Sequence, residues 1–260
     1  MEIIETFDFV KLLIAAFGAG FIDSIVGGGG LIQLPVFLML LPQYPVISIL
    51  ATNKLVSMSG TAFSAYRYSR QIPFQSNIIF PAIISSFASS LMGAYAVTFI
   101  SNETIKPVFI ILLLVVFIVT IRNKDFGIFN HRSDVPIKLW KPILIGTLIG
   151  FYDGFFGPGT GSFLIIAFVG VLGMTFVEGS AYAKVINLTT NIAAILLFSF
   201  KTKFLFQLAL PMMFFNTLGA VVGVRLALLK GNEFVRVLLR MVVLATILKL
   251  GHQVFINYVI

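Results

Sequence analysis

Apolar residues in this chain fall in long runs separated by short polar gaps. The runs cover residues 10–26, 31–41, 49–66, 77–100 and 107–121. After a polar stretch at 122–141 they resume at 142–156, 162–173, 180–200, 204–229 and 234–250. A helix crossing the ~30 Å hydrocarbon core of a bilayer needs about 20 apolar residues, and most of these runs approach that length. Two fall well short, residues 31–41 and 162–173. Each follows a glycine-rich break, Gly27-Gly28-Gly29-Gly30 in one case and Gly157-Pro158-Gly159-Thr160-Gly161 in the other. The pattern predicts an all-α integral membrane protein of about 8–10 membrane segments, including short half-helices after the breaks.

The order of runs occurs twice. A shift of 130 residues lays Gly20-Phe21-Ile22-Asp23 on Gly150-Phe151-Tyr152-Asp153 without a gap. The same shift pairs Gly27 with Gly157, Gly29 with Gly159, Lys54 with Lys184, Pro81 with Pro211 and Gly93 with Gly223. Such coincidence at one offset indicates an internal repeat, with a first transmembrane repeat at 1–121, a linker at 122–141 and a second repeat at 142–260. Small-xxx-small pairs recur with it, Ala16/Gly20 with Gly146/Gly150 and Ser89/Gly93 with Gly219/Gly223. Apolar helices gain nothing hydrophobic by meeting in lipid, so small residues that let backbones approach mark packing faces.

Composition agrees. Of 260 residues 58% are hydrophobic and 11% charged, and the mean hydropathy is +1.03. A water-facing surface needs far more charge, which excludes soluble enzymes, nucleic-acid binders and disordered tails. Lys and Arg exceed Asp and Glu by 18 to 10, a net charge of +8, and most of the excess lies in gaps between runs, where it orients the chain. Arg67 and Arg70, with Arg122, Lys124, Arg132, Lys138 and Lys141 of the linker, stand against Lys106 alone on the opposite side. The linker is therefore expected in the cytoplasm. If each half makes an odd number of crossings, the halves are inverted relative to each other, the arrangement expected here; if only one of the two runs before residue 42 crosses, they are parallel. Met1-Glu2-Ile3-Ile4-Glu5 lacks the basic start of a signal peptide. There is no cysteine and no His or acidic cluster at metal spacing, so no metal or other cofactor is expected. No nucleophile–base set suggests an enzyme.

Paired glycine-interrupted short segments are the best sequence pointer to a midplane binding site in a transporter. Unpaired N–H groups and the positive dipole end at a half-helix start suit an anion. Gly28, Gly29, Gly30, Gly159 and Gly161 are candidate backbone donors, with Gln33, Thr160 and Ser162 beside them. Neither break carries the Lys-Ser/Thr or the strand context of a nucleotide loop. Asp23 and Asp153 each stand one turn before a break, and Lys54 and Lys184 lie inside apolar runs. A charge at such depth costs about 2.5–3.5 kcal/mol on the insertion scale and defaults to a functional candidate. The lysines suit an anion clamp, and the aspartates suit charge pairing with them or proton coupling. Two blander readings stand beside these: buried Asp–Lys bridges that pin the breaks together, and a Lys54 that snorkels to the interface. Asn53 and Ser57 accompany Lys54, and Asn187 and Asn191 share a helix face with Lys184.

At Gly20-Phe21-Ile22-Asp23-Ser24-Ile25-Val26-Gly27-Gly28-Gly29-Gly30 with Ala51-Thr52-Asn53-Lys54-Leu55, the chain resembles the TauE/SafE (sulfite exporter, TSUP) family. The second-half signature, Gly150-Phe151-Tyr152-Asp153-Gly154-Phe155-Phe156-Gly157-Pro158, is similar to the YfcA-like branch of that family. The resemblance spans essentially the whole chain. It implies a multi-pass transporter of the bacterial inner membrane that exports sulfite, sulfonates or related organosulfur anions. Ala183 stands where the first half has Asn53, so the half-sites differ chemically. Residues and resemblance together predict a small anion bound near the midplane and moved by alternating access. A passive anion channel and a non-transporting scaffold are the alternatives.

Overall fold

The computed structural model describes residues 6–101, 104 and 137–259. Its helices are α1 (Thr6–Val26), α2 (Gly30–Leu40), α3 (Val46–Ser69), α4 (Ser76–Val97), α5 (Trp140–Phe155), α6 (Thr160–Leu172), α7 (Phe176–Lys201) and α8 (Phe206–Val259). No strand occurs among the described residues. Five helices are long and apolar enough to cross a membrane, namely α1, α3, α4, α7 and α8 over Phe206–Val235, while α2 and α6 are the short apolar ones. The run at 107–121 and most of the linker lie outside the described residues.

Some helix starts differ from the hydropathy pattern for a local reason. α7 begins at Phe176, four residues before the apolar run, because Thr175 and Glu178 form a reciprocal capping box. Glu178 lowers the local hydropathy but satisfies the backbone N–H of Thr175, so the polar residue starts the helix rather than preceding it. α8 continues past residue 229 to a break in helical geometry at Gly231 (φ 70°, ψ −159°). Pro45, extended at the N-cap, sets the start of α3.

In each of the quartets α1–α4 and α5–α8 a short helix, α2 or α6, is followed by two long ones, and the two quartets interleave. The helix packed most extensively on α1 is α8, and the one packed on α5 is α4. Both interfaces are made by small residues. A Cβ on Gly20 would meet the Asn216 carbonyl, one on Gly219 the Phe17 carbonyl, and one on Gly223 the Ser24 hydroxyl. In the other interface Gly150 faces Ser86 and Ser89, Gly154 faces the Ser90 carbonyl, and Gly93 faces the Phe151 carbonyl. Contacts advance in step along both chains, so α1 runs parallel to α8 and α4 parallel to α5. The small-xxx-small glycines are thus the points where backbones touch, which is how helices associate without a hydrophobic drive.

α3 and α7 run in opposite directions. Near the start of α7, Tyr182 Oη accepts a hydrogen bond from Gln75 N–H, just beyond the end of α3, at 2.6 Å. Just past the end of α7, the Thr202 hydroxyl lies 2.7 Å from that of Ser48 in the first turn of α3. α3 is also tied to α8, through Leu205 N–H to Thr52 Oγ1 at 3.1 Å and Ser59 Oγ to the Met213 carbonyl at 3.0 Å.

The core divides into two apolar clusters. One gathers Ile25, Val26, Tyr68, Leu164, Phe168, Ala183 and their neighbours. The other gathers Leu34, Phe37, Leu50, Ala51, Phe156, Phe198 and theirs. Many large apolar side chains on the outer helix faces remain exposed, such as Phe80, Ile84, Leu210 and Phe214, as expected of a surface solvated by lipid rather than water.

The glycine contacts give a differential expectation. Gly20→Val and Gly154→Val force backbone to move and are expected to cost at least about 1–3 kcal/mol, the usual range for overpacking. Nothing lies within 4 Å of a Cβ at Gly18 or Gly170, so alanine there is expected to be neutral or to gain roughly 0.5–1 kcal/mol of helix preference. Thermal unfolding of the four variants in detergent measures the contrast; equal melting temperatures would remove the close-contact interpretation.

Candidate ion-pair site at the helix breaks

α1 ends at Val26 because Gly27 takes φ 75°, a left-handed conformation that glycine adopts without strain. Gly157 (φ 99°) and Gly159 (φ 84°) break the chain between α5 and α6 in the same way. The two breaks lie against each other. A Cβ on Gly27 would overlap the Gly161 backbone, one on Gly161 would overlap Gly27, and one on Gly30 would come 3.1 Å from Pro158 Cα.

A helix that stops inside an apolar environment leaves carbonyls to be satisfied. For α1 the partners come from three other helices. Tyr68 Oη of α3 donates to Ser24 O (3.1 Å), Ser180 Oγ of α7 to Ile25 O (3.0 Å) and Ser162 Oγ of α6 to Val26 O (2.7 Å). The hydroxyl of Ser162, an expected ligand donor, is therefore committed to capping α1.

The four intramembrane charges pair between the quartets. Lys54 of α3 lies 2.7 Å from Asp153 Oδ1 of α5, and Lys184 of α7 lies 2.8 Å from Asp23 Oδ2 of α1. Lys54 does not snorkel: it is 4% exposed, and Lys184 is fully buried. Each aspartate also receives a hydroxyl. Thr160 Oγ1 lies 2.7 Å from Asp153 Oδ1 and equally close to the Gly157 carbonyl, with one proton to share. Thr61 Oγ1 donates to Asp23 Oδ2 at 3.2 Å. Both acids stand in the last turn of their helix beside a break: a Cβ on Gly29 would meet Cβ of Asp23, and one on Gly157 would come 3.2 Å from Oδ1 of Asp153. At the start of α6 the Thr160 hydroxyl is thus already engaged by the protein's own carboxylate, Asp153.

The pairs are not equivalent. The Asp153 side chain is 2% exposed and that of Asp23 is 14% exposed. Asp153 Oδ2, Gln33 Nε2 and Asn53 Oδ1 are buried without a hydrogen-bond partner among the described residues. The other half carries Ala183 and Phe163 at the positions matching Asn53 and Gln33.

Of the remaining expected site residues, Asn187 and Asn191 bond each other, Asn191 Nδ2 to Asn187 Oδ1 at 3.2 Å. Ser57 is half-buried on α3. The Gly28 carbonyl accepts from Leu31 N–H, that of Gly29 from Ile32 and Gln33 N–H, and that of Gly159 from Phe163 N–H. Sequence reasoning missed Thr61, Tyr68, Ser180 and Asn216. Asn216 Nδ2 reaches both Ala16 O (3.1 Å) and Gln33 Oε1 (3.3 Å), which orients the Gln33 amide. Only the polarity of Asn216 inside the run 204–229 could have drawn attention to it.

Residues 12–250 match the family described as Sulfite exporter TauE/SafE. Similar curated proteins include "Probable membrane transporter protein ORF9" of Sinorhizobium sp, 35% identical over 92% of this chain and 90% of that protein. A "Probable membrane transporter protein" of Haemophilus influenzae is 33% identical over 86% of this chain and 87% of its own length. "Probable membrane transporter protein YfcA" of Escherichia coli K12 is 34% identical over 86% of this chain and 82% of its own length. No solved structure matches. With the family matched over nearly its whole length and two buried ion pairs at paired helix breaks, the chain is a multi-pass membrane transporter protein belonging to the TauE/SafE family.

Proposed function

We propose that this transporter moves small anions, with sulfite and sulfonates as the class its family's description suggests, and that it acts as an exporter in the bacterial inner membrane with residues 122–141 in the cytoplasm. The observation that carries the reading is the exchange of partners: each buried lysine is neutralised by the aspartate of the other quartet. Burying two charges costs much of what their attraction returns, so such a pair contributes little net stability. A lysine held this way can exchange its carboxylate for an incoming anion provided that the charge of the displaced carboxylate is compensated. The anion would then lie between the starts of α2 and α6, near Lys54 and Lys184.

An apolar cluster accompanies each pair. Ala51 and Phe156 beside Lys54 and Asp153 belong to one, and Ile25 and Ala183 beside Asp23 and Lys184 to the other. Alternating access would open these clusters in turn as the quartets rock against each other. The opposed directions of α3 and α7, helices that the 130-residue shift superposes, support duplicated halves of inverted topology, which is the usual basis of such rocking.

Lys54→Ala or Lys184→Ala is expected to abolish sulfite and sulfonate counterflow in proteoliposomes. Either leaves an unpaired buried aspartate, at a cost of about 3–5 kcal/mol. The apolar pair Lys54→Met/Asp153→Leu therefore serves as the folded control: it is expected to melt near the wild-type temperature yet carry no flux. Normal flux in that double variant would reduce the pair to a structural pin. Inverted topology predicts that a cysteine replacing Gln253, in a chain with no other, reacts with an impermeant maleimide from outside the cell. Labelling only after lysis would favour parallel halves.

A further inference from the structure

The site contains two ammonium and two carboxylate groups, each engaged by an opposite charge, so an arriving anion adds a charge that nothing present neutralises. Uncompensated charge at membrane depth is costly. A proton taken up by one of the two carboxylates would restore the balance. Asp153 Oδ2 is buried and has no hydrogen-bond partner among the described residues, so it can accept a proton without breaking a bond already made. Asp23 likewise holds a lysine and a hydroxyl on one oxygen, Lys184 and Thr61 on Oδ2, and differs in exposure: its side chain is 14% exposed against 2% for Asp153.

We infer that Asp153 is the proton carrier of this transporter and that one proton travels with each monovalent anion, while Lys184–Asp23 stays ionised as the structural pair. The inference rests on the anion-carrier reading above but not on its direction. A proton from the aqueous side binds Oδ2; the Asp153 carboxyl becomes neutral; Lys54, still an ammonium, takes the anion in place of the carboxylate. On the far side the anion and the proton both leave, and Lys54 returns to Asp153. Net charge in the site is zero with or without cargo. Flux runs whichever way the summed anion and proton gradients dictate.

The surroundings of Asp153 leave little else to titrate. α3 presents Lys54. α6 has no ionisable side chain and presents the Thr160 hydroxyl, and α4 has only the outward Tyr95. α7 presents Lys184, which is engaged by Asp23 of α1, and Asp23 also acts electrostatically on Lys54. On α5 itself the neighbouring Tyr152 donates its hydroxyl to the Pro158 carbonyl.

The test uses the full chain in proteoliposomes with radiolabelled methanesulfonate, an anion that stays monovalent across the working pH range and does not leak as a neutral acid. With the interior one pH unit more alkaline than the outside, coupling of one proton per anion is expected to concentrate the label about tenfold, since a tenfold ratio balances one unit of gradient. An entrapped pH dye should report proton entry in step with it, and a potassium–valinomycin potential should leave the accumulation unchanged. Asp153→Asn is expected to lose the gradient-driven accumulation, and its residual exchange to lose its pH dependence. Asp23→Asn should keep that dependence in whatever flux remains. Counterflow that ignores the pH gradient and follows the membrane potential would overturn the coupling but leave the carrier standing. PH dependence kept in Asp153→Asn and lost in Asp23→Asn would overturn the assignment. Absence of counterflow for both methanesulfonate and sulfite would remove the carrier reading, and the coupling with it.

Discussion

A helix interrupted inside hydrocarbon must find partners for its terminal carbonyls within the protein, because no water is there to supply them. Much of this structure answers that demand at Val26. Tyr68, Ser180 and Ser162 come from three helices far apart in sequence, and each hydroxyl caps one successive carbonyl of α1. The arrangement holds α3, α6 and α7 at fixed positions around the end of α1. It also brings the two breaks into backbone contact, Gly27 on Gly161, at a distance that a side chain on either residue would forbid.

The charges follow from that geometry. With the breaks touching, the aspartate one turn before each lies opposite the other quartet's lysine, and the pairs form across the interface rather than within a quartet. The glycine and serine stripes between α1 and α8 and between α4 and α5 complete the interleaving. The halves do not form two separate bundles that meet at a surface. Moving one relative to the other must therefore strain the ion pairs and the apolar clusters around them together.

Much of this was legible in the chain. Length of apolar runs marked the long helices, glycine-rich breaks marked the short ones, and charges inside apolar runs marked the buried ion pairs, because each is a local property that lipid makes expensive to violate. Hydropathy misplaced the start of α7, where Glu178 looks like a gap residue but caps the helix, whereas the gap it left at 230–233 holds the break at Gly231. Ser162 read as a ligand donor by its position at a half-helix start; its hydroxyl instead faces Val26, a partner 136 residues away.

Sequence by itself determined an all-helical membrane protein of this family with two acids and two bases at depth, since the 20-residue run and the cost of intramembrane charge need no knowledge of neighbours. Which lysine meets which aspartate, which hydroxyls cap α1, and the deeper burial that separates Asp153 from Asp23 were decided only by the tertiary structure. Those depend on helices that share no sequence proximity, and at an offset where Lys54 mirrors Lys184 the local patterns of the two halves are too alike to distinguish pairing within a half from pairing across them.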